Sequence, residues 1–224
     1  MKIKTLCLTA LLCLTVLQSP AQSEETARVK IATSEGDIVA ELYPAKAPKT
    51  VANFLQYVKD KHYDNTVFHR VISSFMVQGG GYDAQYKERK TRPPVVHEGR
   101  ESLTAGLKNQ IGTLAMARTN DPQSATAQFF INVADNAFLD PTLIPEGDPV
   151  KRFEYQGRVH ENVPRANLLN APQHFGYTVF GKVVSGMDVV QKIKSTPTGA
   201  GGPFPSDVPK TPVLINSIIL LKTP

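Results

Sequence analysis

Between Arg28 and Tyr43 the chain reads RVKIATSEGDIVAELY, two period-two alternations of apolar and polar residues hinged on Ser34-Glu35-Gly36. That pattern is a β-hairpin with one buried face. It recurs as short strands down the chain: around Arg70 and Met76, from Ile111 to Ala117, at QFFINV (Gln128 to Val133), at TVFGKVV (Thr178 to Val184) and at VLINSIILLK (Val213 to Lys222). Two amphipathic helices interrupt them far apart in sequence. PKTVANFLQYVKD opens on Pro48 and sets Val51, Phe54, Leu55 and Val58 on one face, and MDVVQKI runs from Met187 to Ile193. Many short strands with so few helices exclude repeated βαβ units. They require a mainly β, antiparallel barrel or sandwich.

The segment from Asp140 to Phe175 breaks the pattern, with five prolines and little periodicity. A stretch this long without a repeating pattern is read as a surface excursion, about 141–174, holding a short hairpin. From Pro145 to Gln173 its charges cancel. Tyr82 to Gly99 reads as a polar loop, and a Gly/Pro-rich run from Pro197 to Pro212 leads into the closing strand.

The N-terminus is read as a processing segment. Lys2 and Lys4 precede an apolar stretch, LCLTALLCLTVL, and Ser19-Pro20-Ala21 offers small residues, which places cleavage after Ala21. Residues 1–21 are therefore expected to be a signal peptide and 22–224 the working domain. The apolar stretch is shorter than the roughly 20 residues of a spanning helix, so no stable membrane insertion is expected after processing. Both cysteines, Cys7 and Cys13, fall in the removable piece. A thiol-free mature chain suits the periplasm or the exterior. Losing Lys2 and Lys4 lowers the formal charge from +5 to +3, too mild and too scattered for nucleic-acid binding.

Most familiar chemistries find no footing. There is no G-x-S-x-G elbow, and Ser73-Ser74 reads as a turn. His62, His69, His97, His160 and His174 are dispersed, without the spacing of a metal site. Gly79-Gly80-Gly81 lacks the lysine of a phosphate loop and reads as a tight turn. No cofactor is implied. What remains is Arg70, whose alternation with Phe68 and Ile72 places a guanidinium on an apolar face, where it needs a partner or a use.

Three long motifs in order resemble the cyclophilins, the peptidyl-prolyl cis–trans isomerases, and among them the bacterial periplasmic branch. They are FHRVISSFMVQGGG (Phe68 to Gly81), GTLAMARTNDPQSATAQFFINVADNAFLD (Gly112 to Asp140) and FGYTVFGKVVSGMDVV (Phe175 to Val190). The resemblance implies a closed eight-stranded antiparallel barrel capped by two helices, and isomerisation of X–Pro bonds in peptides and folding exported proteins. It implies that Arg70 is the catalytic arginine, with Phe75, Met76 and Gln78 beside it. Ala117 and Arg118 fall in the segment that pairs with the peptide. Gln128 and Phe130 come from the QFF strand, Phe138 and Leu139 form an aromatic–leucine wall, and Tyr177 stands where many members carry histidine. His69 is implied to lie close to the site. Phe138 in place of the tryptophan of well-known members implies weak cyclosporin binding. A monomer is expected. The rival reading is a non-catalytic module or chaperone that binds proline-bearing peptides, and taken singly Arg70 reads as a structural ion-pair partner and the apolar residues as core.

Overall fold

The computed structural model describes residues 26–222; the expected signal peptide, with Cys7 and Cys13, lies outside the described residues. The hairpin forms as β1 (Ala27–Thr33) and β2 (Gly36–Leu42), in unbroken register from Ala27 opposite Leu42 to Thr33 opposite Gly36. Helix α1 (Pro48–Lys59) is followed by β3 (Thr66–Ile72), β4 (Met76–Asp83), the short α2 (Gly99–Thr104), β5 (Thr113–Met116) and β6 (Phe129–Asn132). The excursion contributes β7 (Val150–Tyr155), β8 (Arg158–Val163) and α3 (Arg165–Asn170). The chain then returns through β9 (Val179–Ser185), α4 (Met187–Lys194), β10 (Thr198–Gly201), β11 (Phe204–Pro209) and β12 (Leu214–Leu220).

Eight strands close into an antiparallel barrel in the order β1-β12-β3-β4-β6-β5-β9-β2. Closure removes the unpaired strand edges that would otherwise invite association. Alternation sorts the side chains: Phe68, Val71, Val77, Leu114, Met116, Phe129 and Ile131 point into the barrel, where Val51 and Phe54 of α1 and Val190 and Ile193 of α4 complete the core. The intervening Met76, Ala115, Phe130 and Val179 form a second apolar cluster on the outer face. QFFINV is apolar on both faces for this reason: one lines the core and the other lines the site.

The N-terminus of α1 receives no cap from its own flanking residue. Glu98, distant in sequence and 5% exposed, supplies it instead. Its carboxylate accepts the Lys49 N–H at 3.0 Å, the Thr50 N–H at 2.8 Å and the Thr50 hydroxyl at 2.8 Å. Charge-assisted bonds to orphan N–H groups at the positive end of a helix are among the stronger polar contacts available.

Two local expectations are corrected. Gly79-Gly80-Gly81 is part of β4 rather than a turn. A Cβ at Gly79 would lie 3.0 Å from both the Phe68 ring and the Val67 carbonyl, and one at Gly81 would collide with the Gln128 side chain. The glycines permit close approach. The Gly/Pro-rich Pro197–Pro212 stretch folds into the β10–β11 hairpin. Arg70 does not share the face of Phe68. A register shift between Phe68 and Arg70 inserts an extra residue, a bulge that sends Arg70 outward and leaves Phe68 in the core.

The excursion folds as its own small unit. β7 pairs with β8, and Ile144, Val150, Phe153 and Leu168 bury one another apart from the barrel core. Its two ends meet where the Tyr177 N–H donates to the Leu139 carbonyl at 2.9 Å and the Thr142 N–H to the His174 carbonyl at 3.0 Å. Arg100 of α2 fastens it, donating to the carbonyls of Thr142 and Leu169 and lying over the Phe175 ring.

Candidate active site

On the outer face of β3, β4, β5 and β6 a cavity of about 150 Å³ opens to solvent, lined by Arg70, Phe75, Met76, Gln78, Ala117, Arg118, Phe130, Leu139 and Tyr177. These residues come from separate strands and loops, and strand pairing brings them together: Arg70 lies opposite Gln78, Gln78 opposite Phe130 and Phe130 opposite Ala115. Met76, Phe130 and Leu139 are buried and make a dry floor. Tyr177 stands edge-on to Phe130, with ring centroids 5.7 Å apart.

Arg70 is 45% exposed, with its Nε 3.8 Å from an oxygen of the half-exposed Asp207. It is neither buried nor locked into an internal carboxylate. No acid lines the cavity, whose polar side chains are those of Arg70, Gln78, Arg118 and Tyr177. Gln78 is held by its neighbour, its amide donating to Oε1 of Gln128 at 3.0 Å. Gln128 itself lies in an adjoining depression of about 250 Å³, together with Glu88, Thr119, Ser124 and Thr126.

Two expected site residues lie elsewhere. His69 does not line the cavity: it is 3% exposed and packed against Tyr82 at 4.7 Å and Phe204 at 5.4 Å between ring centroids. The bulge takes both His69 and Arg70 out of the core between Phe68 and Val71, and Tyr82 and Phe204 cover His69. Burial without a charge partner lowers the His69 imidazole from 6.5 to about 4. Phe138 is 74% exposed and stacks on the outer side of Phe75, at 5.6 Å and 28° between planes. It sits in a single helical turn whose neighbour Leu139 takes the inward position.

Sequence reading missed the support beneath the rim. Asp140 accepts from the Asn109 backbone N–H at 2.7 Å and side-chain amide at 2.9 Å. Asn132 donates to Asn109 and to Thr113. Asn136 donates to Asn132 at 2.7 Å and to the Phe75 carbonyl at 2.9 Å. This buried chain fixes Phe75 relative to the strands, and its one sequence signal was an asparagine, Asn132, within an otherwise apolar strand. No residue of the excursion between 141 and 174 lines the cavity; the excursion stands beside it.

Comparison with known proteins identifies the family. The family model for cyclophilin type peptidyl-prolyl cis-trans isomerases matches residues 28–219. A peptidyl-prolyl cis-trans isomerase of Streptomyces antibioticus is 46% identical over 193 residues, covering 86% of this chain and 98% of the relative. Isomerase B of Escherichia coli K12 is 46% identical over 186 residues, covering 83% and 94%. The crystal structure of a Cryptosporidium parvum cyclophilin type isomerase superposes with a TM-score of 0.57 at 22% identity, over 89% of this chain and all of that one. A second structure of that parasite protein was obtained in the presence of the dipeptide Ala-Pro. The chain belongs to the cyclophilin-type peptidyl-prolyl cis–trans isomerases and is an enzyme of that class.

Proposed function

We propose that the cavity binds the proline of an X–Pro segment and that Arg70 accelerates rotation of the preceding amide. Rotation is slow because the nitrogen lone pair is shared with the carbonyl, giving a barrier of about 18–20 kcal/mol. At the twisted midpoint the lone pair returns to nitrogen. A donor aimed there forms a useful hydrogen bond only in that state, so it lowers the barrier without tightening the ground state. Arg70 suits the task because it is permanently charged, carries several rigid donors and never needs to release a proton.

One donor is not enough. An acceleration of about 10⁵ requires roughly 7 kcal/mol, whereas one preorganised donor supplies about 2.7–4 kcal/mol. Phe130, Met76 and Leu139 supply the dry floor that grips the proline ring. Gln78, held by Gln128, and the Ala117–Arg118 backbone fix the flanking peptide, which contributes through orientation. The observation that carries this reading is the shared cavity: a solvent-accessible guanidinium beside an apolar socket with no acid in its lining.

The excursion leaves the cavity open, which favours turnover over self-occlusion. With a signal peptide at residues 1–21, the natural substrates are proline-bearing segments of exported proteins in the periplasm or outside the cell. A protease-coupled assay on an X–Pro tetrapeptide tests the reading. Acceleration at substoichiometric protein supports it, whereas binding without acceleration assigns the chain to the non-catalytic alternative.

A further inference from the structure

We propose that Asp207 is a positioning residue for Arg70, holding the Nε edge of the guanidinium so that the terminal N–H groups face the cavity; this rests on the catalytic reading of Arg70. Arg70 lies on a solvent-accessible face, 45% exposed, on a side chain with four rotatable bonds. Left to itself it would sample many rotamers, and only some direct donors at a bound amide. An oxygen of Asp207 lies 3.8 Å from Nε. An ion pair on that edge restrains the fork while leaving its other donors free.

The backbone around Asp207 is built to present the carboxylate there. Asp207 has a φ of +65°, a left-handed conformation that Asp and Asn tolerate better than most residues. It is held between two fixed points of β11. Phe204 packs on His69 and lies edge-on to Tyr82 at 5.0 Å, and Val208 is buried. The Lys210 N–H donates to the Pro197 carbonyl at 2.9 Å, closing the hairpin behind it. The strand that carries Arg70 also carries His69, so one hairpin packs on His69 through Phe204 and reaches Arg70 through Asp207. This gives the β10–β11 hairpin a use that its Gly/Pro-rich sequence did not reveal.

The test is Asp207→Asn, which keeps the shape and the left-handed tolerance and removes the charge, with Asp207→Gly as a second variant of the same backbone freedom. Both are assayed in the wild-type and Arg70→Ala backgrounds, at raised enzyme concentration for the latter. The expected result is a fall in kcat of about two- to five-fold, the scale of an exposed ion pair, with KM unchanged and no further loss when Arg70 is already alanine. The Arg70 Nε–H resonance in NMR should shift in both variants while Phe204 and Tyr82 signals stay in place. An unchanged or increased kcat, or an equal loss in the Arg70→Ala background, overturns the proposal. Full activity in Arg70→Ala itself instead overturns the catalytic reading of Arg70, so the two failures are distinguishable.

Discussion

The guanidinium carbon of Arg118 lies 4.6 Å from the centre of the Tyr177 ring, and its Nε donates to the Gly176 carbonyl at 3.0 Å. The same carbonyl faces Nε2 of His97 at 3.3 Å, whose Nδ1 accepts the Gly99 N–H at 3.1 Å. One wall of the cavity is thus tied to the foot of the excursion and to the start of α2. Replacing Arg118 with alanine removes the cation from the Tyr177 face and frees the rim. We expect kcat/KM to fall about ten-fold, mainly through KM, with Arg118→Lys recovering little because lysine lacks the planar fork. Steady-state kinetics on an X–Pro peptide checks this, and an effect confined to kcat would contradict it.

The excursion closes on itself, with Leu139 and Tyr177 hydrogen-bonded at its base and its own apolar cluster. Replacing 143–173 with a short Gly/Ser linker should leave kcat/KM on a tetrapeptide within about two-fold, since distant units act nearly independently. A large loss would show that the excursion shapes the cavity. A change seen with folded protein substrates alone would place its contribution in client choice.

Glu98 caps α1 from across the chain. Glu98→Ala leaves the Lys49 and Thr50 N–H groups and the Thr50 hydroxyl without their acceptor in a buried place. The expected cost is about 2–3 kcal/mol, a drop in melting temperature of roughly 4–10 °C for a chain of this size. Calorimetry or thermal circular dichroism checks this; an unchanged melting temperature would mean that solvent replaces the cap.

His69 gives the fold a defined acid sensitivity. Burial depresses its folded-state value to about 4 against the ordinary 6.5. Between those values the unfolded chain binds a proton that the folded chain refuses, so stability is full above about pH 6.5 and falls as the pH is lowered toward 4. The loss from this group is about 3 kcal/mol. Denaturant titrations at pH 7 and pH 4.5 should show His69→Phe to be less acid-sensitive than the wild type. Parallel pH profiles for the two proteins would contradict the assignment.

The strands and both long helices were legible because period two and period 3.6 are direct consequences of one-sided burial. The β1–β2 hairpin and the Pro48 start of α1 are where the pattern places them. What alternation alone could not show was the bulge between Phe68 and Arg70, which depends on pairing with β4. Nor could it show the β10–β11 hairpin, whose Gly- and Pro-rich sequence carries no alternation and which is anchored where Phe204 meets His69 and Tyr82. In the site, Phe130 and Met76 read singly as core, and the motif resemblance grouped them with Arg70. Phe138 stands outside the cavity lining because a single turn of helix turns one of two adjacent apolar residues outward, and Leu139 takes the lining position. The cap supplied by Glu98 and the approach of Asp207 to Arg70 join residues far apart in the chain, and nothing local announces either.

Catalysis by a fork of N–H donors that engages the proline nitrogen only as the amide leaves planarity is tested most directly by Arg70→Ala. The side chain is half exposed and outside the core, so thermal stability should hold within about 0.5 kcal/mol. The exchange rate of an X–Pro peptide, followed by NMR at saturating substrate, should fall by about 10²–10³-fold with peptide affinity nearly unchanged. A folded Arg70→Ala protein that isomerises at the wild-type rate would contradict the account.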